Sequence, residues 1–216
     1  MRRYLPYVIV ALVALVTLGS GFALYRAKLE ALPDDAKGGP ASGIHVRGKA
    51  GAQVTIEEFG DFQCPPCSTM SSVLAKTEEE YGARLRVIFH HFPLAIHAHA
   101  REASLAAEAA GMQGRFWEMH DLLYNEQPAW SKAPDVPSLI LSYAGTLKLD
   151  LDRFRKDLTD PEVAARVDAD QKLGASRGVT STPTLFVNDV LLPVADINPA
   201  GLHQTIEAAL KEKRKP

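Results

Sequence analysis

The sequence predicts an α/β fold in which a small sheet frames an inserted block of helices, with an apolar helix ahead of it at the amino terminus. Three observations carry this. Two β-rich runs, VTIEEF at 54–59 and RLRVIFHHF at 84–92, flank a helical run at 65–81. That strand–helix–strand order implies a βαβ unit with parallel strands. A third β-rich run, PTLFVND, comes only near the carboxyl terminus, and about five helical runs lie in between. An all-α fold would leave the strands unexplained.

The chain has 216 residues, 46% of them hydrophobic and 23% charged, which suits one globular domain with an attachment. That length buries a sizeable core without help from disulfides, and two cysteines are too few for a disulfide scaffold. A net charge of -2, with no basic run interleaved with aromatics, gives no electrostatic basis for binding nucleic acid.

The attachment comes first. Met1-Arg2-Arg3 is basic, Leu5 to Tyr25 is free of charge, and Arg26 and Lys28 close the run. Such a span matches the thickness of a bilayer's hydrocarbon core, so residues 1–26 read as a retained membrane anchor. A cleaved signal is the alternative, with Gly21-Phe22-Ala23 a poor cleavage site, and a buried core helix is the third reading. Arg2 and Arg3 favour a cytoplasmic amino terminus, although the cations on the far side weaken the bias. The rest of the chain would then work outside the cytoplasm, where thiols can stay oxidised. Residues 27–48, including PDDAKGGPASG at 33–43, read as a flexible linker. Arg2, Arg3, Arg26 and Lys28 against Glu30 give residues 1–30 a net +3, so the chain's -2 leaves a mildly acidic -5 for the remainder.

The domain at 49–216 opens on the strand at 54–59. HAHAREASLAAEAAG is dense in alanine and stops at Gly111, RFWEMHDLLYN follows Gly114, and PSLILSYAGTLKL and DLDRFRKDL read as two shorter helices. Asp160-Pro161 supplies an N-cap and a first-turn proline for a helix running to Gly178. Asn188-Asp189 reads as a tight turn between PTLFVND and VLLP. A last helix spans about Pro199 to Lys211 and leaves a solvated basic tail.

Both cysteines lie in FGDFQCPPCSTM, where a strand ends and a helix begins. A Cys-x-x-Cys pair can be structural, metal-binding or redox-active. At a helix start, unpaired N–H groups and the helix dipole favour negative charge. A Cys64 thiolate would gain from both, and Cys67 would lie within the first turn, close enough to attack a mixed disulfide. Pro65 and Pro66 suit a helix start, where a missing N–H costs little. Zinc would need two more ligands, yet His90, His91, His97 and His99 lack zinc-finger spacing and read as ordinary solvated histidines, with His90 and His91 on opposite faces of a strand. Glu58 shares a strand face with Val54 and Ile56 and could be buried below the cysteine turn, where a raised pKa would let it relay a proton to or from Cys67. An exposed strand-end carboxylate is its bland alternative. Pro183 enters an apolar strand, and a cis bond there would expose the backbone of Thr182, although few X-Pro bonds are cis.

EFGDFQCPPC together with GVTSTPTLFVN resembles the thioredoxin superfamily, and more closely its DsbA-like thiol–disulfide oxidoreductases of the bacterial cell envelope. The resemblance covers about residues 50–212. It implies a thioredoxin fold with a helical domain inserted at about 97–177, Cys64 as exposed nucleophile, Cys67 as buried resolving thiol, and Glu58 as the buried acid. It also implies a cis Pro183, with Thr182 lining a substrate cleft to which Phe62, Pro65 and Pro66 add apolar surface. No bound cofactor or metal is implied. The implied function is oxidation of dithiols in unfolded or exported cysteine-containing proteins through a reversible Cys64–Cys67 disulfide, reoxidised by a quinone-linked membrane partner. A reductase or isomerase of the same fold is the alternative, and a copper- or zinc-handling protein a further one. The departure from the family is Pro65-Pro66, where strong oxidants carry Pro-His. Losing that histidine should leave the potential below the strongest oxidants, near about -120 mV.

Overall fold

The structure, a computed structural model, describes residues 44–212. The apolar run at 5–25 and the tether at 33–43 lie outside the described residues, as does the tail after 212. Among the described residues no helix is long and apolar enough to cross a membrane.

Five strands, β1 (His45–Gly48), β2 (Val54–Gly60), β3 (Leu85–His91), β4 (Thr184–Val187) and β5 (Val190–Leu191), form one sheet in the order β1-β3-β2-β4-β5. The β2–β3 pair is parallel and its crossover is helix α1 (Pro65–Tyr81); the other pairs are antiparallel. Six helices separate β3 from β4: α2 (Ala100–Gly111), α3 (Phe116–Asn125), α4 (Gln127–Trp130), α5 (Val136–Thr146), α6 (Leu151–Asp157) and α7 (Pro161–Ser176). Helix α8 (Pro199–Glu212) follows the β4–β5 hairpin, whose turn residues Asn188 and Asp189 both take positive φ. Such a turn matches the twist of the strands it joins.

Two elements differ from the sequence reading. Strand β1 lies inside the stretch read as linker, 27–48, so the domain begins ahead of residue 49. HVRG has little strand character of its own; the exposed edge of β3 supplies its pairing, His45 opposite Phe89 and Arg47 opposite Val87. Helix α4 is a single turn around Pro128 that no periodicity announces.

Each face of the sheet has its own core. Val54 and Ile56 of β2 pack with Met70, Leu74 and Tyr81 of α1 and with Leu202 and Ile206 of α8. On the other face Phe59 meets Phe92, Val179 and Phe186. There α7 comes so close that a Cβ on Gly174 would stand 2.7 Å from the Phe92 ring. The insertion has a third core in which the alanines of α2 let Met119, Leu123, Trp130, Ile140 and Phe154 close together. Phe62, Cys64, Cys67 and Phe89 belong to that cluster, so the cysteine pair sits on the seam between sheet and insertion.

Candidate active site

β2 ends at Gly60, where any Cβ would collide with Phe89 and the Tyr124 hydroxyl. The chain then turns on Asp61, which is fully buried. Its carboxylate accepts from Gln63 N (2.7 Å), Leu94 N (2.8 Å) and His97 Nδ1 (2.7 Å), and its carbonyl accepts from Cys64 N at 3.1 Å. Cys64 is the N-cap of α1, and Pro65 and Pro66 fill the first helical positions, where no N–H is lost from the ladder. Across the seam Gln127 donates to the carbonyls of Phe62 (2.7 Å) and Cys64 (3.0 Å), tying the cysteine turn to the insertion.

Both cysteines are thiols, 3.6 Å apart. Cys64 Sγ–H donates to the Thr182 carbonyl at 3.4 Å, and the Thr182–Pro183 bond is cis. A hydrogen bond from the Cys67 thiol, working against burial, holds Cys64 down at about 6. Burial pushes Cys67 the other way, helped by its bond to Cys64 and by Glu58. Glu58 is 1% exposed, and burial, followed by the charges of Cys64 and Glu78, raises its carboxyl to about 8. A nucleophile that ionises below neutral pH, a thiol that does not, and a carboxyl that titrates near neutrality therefore converge on one turn.

Several expectations change. Cys64 is 5% exposed rather than open to solvent, because Thr182 and the insertion cover it. Phe62 does not line a cleft: it is fully buried, stacked on Phe89 at 5.3 Å and tilted against Tyr124. Pro65 and Pro66 are exposed, and Thr182 and Pro183 half-buried, so these four remain at the surface beside Cys64. Of the four histidines read as solvated, His90 and His91 are instead buried among acidic partners, whereas His97 and His99 are part-exposed; His120 is buried as well. His90 and His91 do face opposite ways, towards Glu57 and Asp170 on one side and Glu108 on the other.

Metal-ligand spacing occurs among the described residues at His45, His91 and Glu108, and excludes both cysteines. Both imidazoles place Nε2 on the same Glu108 oxygen, at 2.5 and 3.1 Å, so this buried carboxylate already has protein partners. Sequence reasoning missed Asp61, although an acid three residues ahead of the first cysteine is a visible signal. It also missed Gln127, which nothing local marks.

A family model described as "Thioredoxin" matches residues 41–208. The chain belongs to the thioredoxin family. Within it, the chain is similar to disulfide bond formation protein D of Bacillus subtilis, 31% identical over 193 residues and 86% of each chain. It is also 43% identical, over 145 residues, to Na(+)/H(+) antiporter NhaA 1 of Salinispora arenicola, matching 67% of this chain. This thioredoxin-family chain spans about a fifth of that antiporter, 21% of its length. Among solved structures, oxidised BdbD from Bacillus subtilis superposes with a TM-score of 0.69 at 28% identity, covering 78% of this chain and 94% of BdbD. Wolbachia pipientis α-DsbA1 shares the fold, with a TM-score of 0.67 at 18% identity over 82% of this chain and 96% of its own. The structural kinship is DsbA-like.

Proposed function

We propose that this chain is a thiol–disulfide oxidoreductase that oxidises dithiols of exported proteins outside the cytoplasm, held to the membrane by residues 1–26. The single observation that carries the chemistry is the placement of the pair: Cys64 at the N-cap of α1 beside the cis Thr182–Pro183 bond, 3.6 Å from a fully buried Cys67, an asymmetry that favours ionisation of Cys64 over Cys67. In the oxidised enzyme a substrate thiolate attacks Cys64 Sγ. The Cys64–Cys67 bond breaks, and Cys67 leaves as a thiolate that takes a proton from Glu58. A second substrate thiolate attacks the substrate sulfur of the mixed disulfide and displaces Cys64, which stays ionised. Two electrons have passed from substrate to enzyme, and a membrane redox partner removes them to restore the disulfide.

Thr182, Pro183, Pro65 and Pro66 surround the reacting sulfur and form the surface that receives an extended substrate segment. A nucleophile near 6 lies between thioredoxin, at about 7, and the strongest oxidants, at about 3.5. This supports a potential below theirs, as expected from the missing Pro-His. Cys64→Ser should abolish exchange with a small dithiol. Trapping the thiols in cells by alkylation should find Cys64 and Cys67 mostly as a disulfide; a mostly reduced pair would replace the oxidase reading with a reductase.

A further inference from the structure

The buried acid of the proposed mechanism gives its proton to Cys67 as the disulfide opens, and Cys64, covered already, is covered further once a substrate is attached. The opposite side of Glu58 is where the structure provides room. A cavity of about 10 Å³ lies between β1, α1 and α3, lined among others by Glu58, Glu78, His120 and Arg47. That is about the space one water molecule needs. Three side-chain atoms of this lining are buried without a hydrogen-bond partner: Glu58 Oε1, Glu78 Oε1 and His120 Nε2.

Their protonation states are complementary. Asp121 accepts from His120 Nδ1 at 2.8 Å and is held by two bonds from Arg47, at 2.8 and 2.9 Å, so the imidazole proton is on Nδ1 and Nε2 offers a lone pair. Burial keeps His120 neutral, down at about 4. Glu58 is protonated at neutral pH and donates. Burial raises Glu78 too, an effect that Arg47, donating to its other oxygen at 3.4 Å, only partly offsets, and its free Oε1 offers an acceptor to the cavity. One water can therefore accept from Glu58 and donate to Glu78 and to His120, close to the three bonds a buried water typically makes.

We propose that Glu78 is the proton port of this enzyme, exchanging protons with Glu58 through one water seated against His120. The proposal rests on the reading of Glu58 as the acid that serves Cys67. Glu78 and Arg47 line both this cavity and a larger open groove beside Gly48, Lys49 and Leu85, so the pair stands between the buried carboxyl and solvent. Glu78 lies fourteen residues beyond Cys64 along α1, about 20 Å at the helical rise. The port thus stays open while a substrate covers the sulfurs. The bookkeeping closes: one proton leaves Glu58 for Cys67 when the disulfide opens, and one enters from solvent through Glu78 and the water to restore Glu58. When the pair is reoxidised the flow reverses. The charged and titratable groups facing this path are Arg47 from β1, His91 from β3, Asp61 after β2, Cys64 and Cys67 at the head of α1, and His120, Asp121 and Tyr124 from α3.

The test uses the full-length oxidised chain reduced by dithiothreitol, with acid quench and alkylation, from pH 5 to 9 in H₂O and D₂O. Glu78→Gln keeps the shape and removes the titration. It should slow reduction on the order of 10-fold at pH 8–9, where Glu58 is increasingly ionised before attack and its proton must enter as the disulfide opens, short of the full contribution of a general acid. It should also enlarge the solvent isotope effect, and added imidazole buffer or Glu78→Asp should recover much of the rate. Arg47 keeps its Asp121 anchor in this variant, and melting curves monitor the fold. If Glu78→Gln only displaces the pH midpoint, at full rate and with an unchanged isotope effect, Glu78 acts as a charge alone and the port is refuted. A Glu58→Gln variant run alongside separates the two ideas. A slow Glu58→Gln beside a fast Glu78→Gln overturns the port and leaves Glu58 its role; if both are fast, the role of Glu58 itself is overturned.

Discussion

Glu57 and Glu58 are neighbours on β2 and point to opposite faces of the sheet, and their surroundings give them opposite chemistry. Glu57 accepts from His90 at 3.2 Å and from Arg177 at 2.8 Å, and the His90 bond holds it below the usual carboxylate range against burial. His90 also meets Asp170 at 3.0 Å; burial pulls the imidazole down, but its two acidic partners prevail and raise it to about 9. Glu58, one residue on, has no ion-pair partner among the described residues; burial, then the charges of Cys64 and Glu78, raises it to about 8. On the paired face each buried charge is matched, so removing one partner leaves the other uncompensated. The lone face keeps a destabilised carboxyl that can give up its proton near neutral pH, which is what a site for acid–base chemistry needs.

Breaking the lone side should have the largest effect. Glu58 is raised from the ordinary 4.5 to about 8, so the unfolded chain ionises first as pH rises. Its contribution to stability is intact below 4.5, is lost progressively up to about 8, and totals on the order of 5 kcal/mol. Glu58→Gln should remove that slope, which urea melts at pH 5 and pH 8.5 would measure, while slowing exchange near neutral pH.

Breaking the paired side should have a smaller effect, and there too the contribution fades as pH rises. His90→Gln should destabilise by about 2–3 kcal/mol at pH 6, by loss of its charged hydrogen bonds. Because His90 is raised from 6.5 to about 9, its stabilisation is full below 6.5 and fades as pH rises through 9, so wild type and variant should converge at pH 10. Gly174→Ala tests the packing of that same face without touching charge. Its Cβ meets Phe92 at 2.7 Å and Phe59 at 2.9 Å, and calorimetry should register about 1–3 kcal/mol. The smallest effect belongs to Arg101→Ala. Its 2.6 Å bond to Asp168 is short, yet the two side chains are 47% and 44% exposed, so its loss should stay within about 1 kcal/mol.

What could be read before folding was whatever depends on neighbours in sequence. The strand–turn–helix around Cys64 follows from VTIEEF, two prolines and the run to Tyr81; the cap at Asp160 and the turn at Asn188 follow from their own residues. The alternation of β2 also placed Glu58 on the face of Val54 and Ile56. Strand β1 escaped because its only support is the edge of β3, and Gln127 because its partners, Phe62 and Cys64, are more than sixty residues away. Phe62 was misread because an aromatic beside a reactive cysteine looks the same whether it faces a cleft or the insertion's core.

The order of residues already sets two cysteines one helical turn apart at the head of a helix, with an acid on the strand before them. Folding alone decided how deeply each sulfur is buried, which histidines carry charge, and that Glu57 meets two cations while Glu58 is paired with none among the described residues. Spacing along a chain fixes which groups share a turn or a face. A proton's free energy, however, depends on solvent exclusion and on charges brought in from distant segments, and those exist only once the chain has closed on itself.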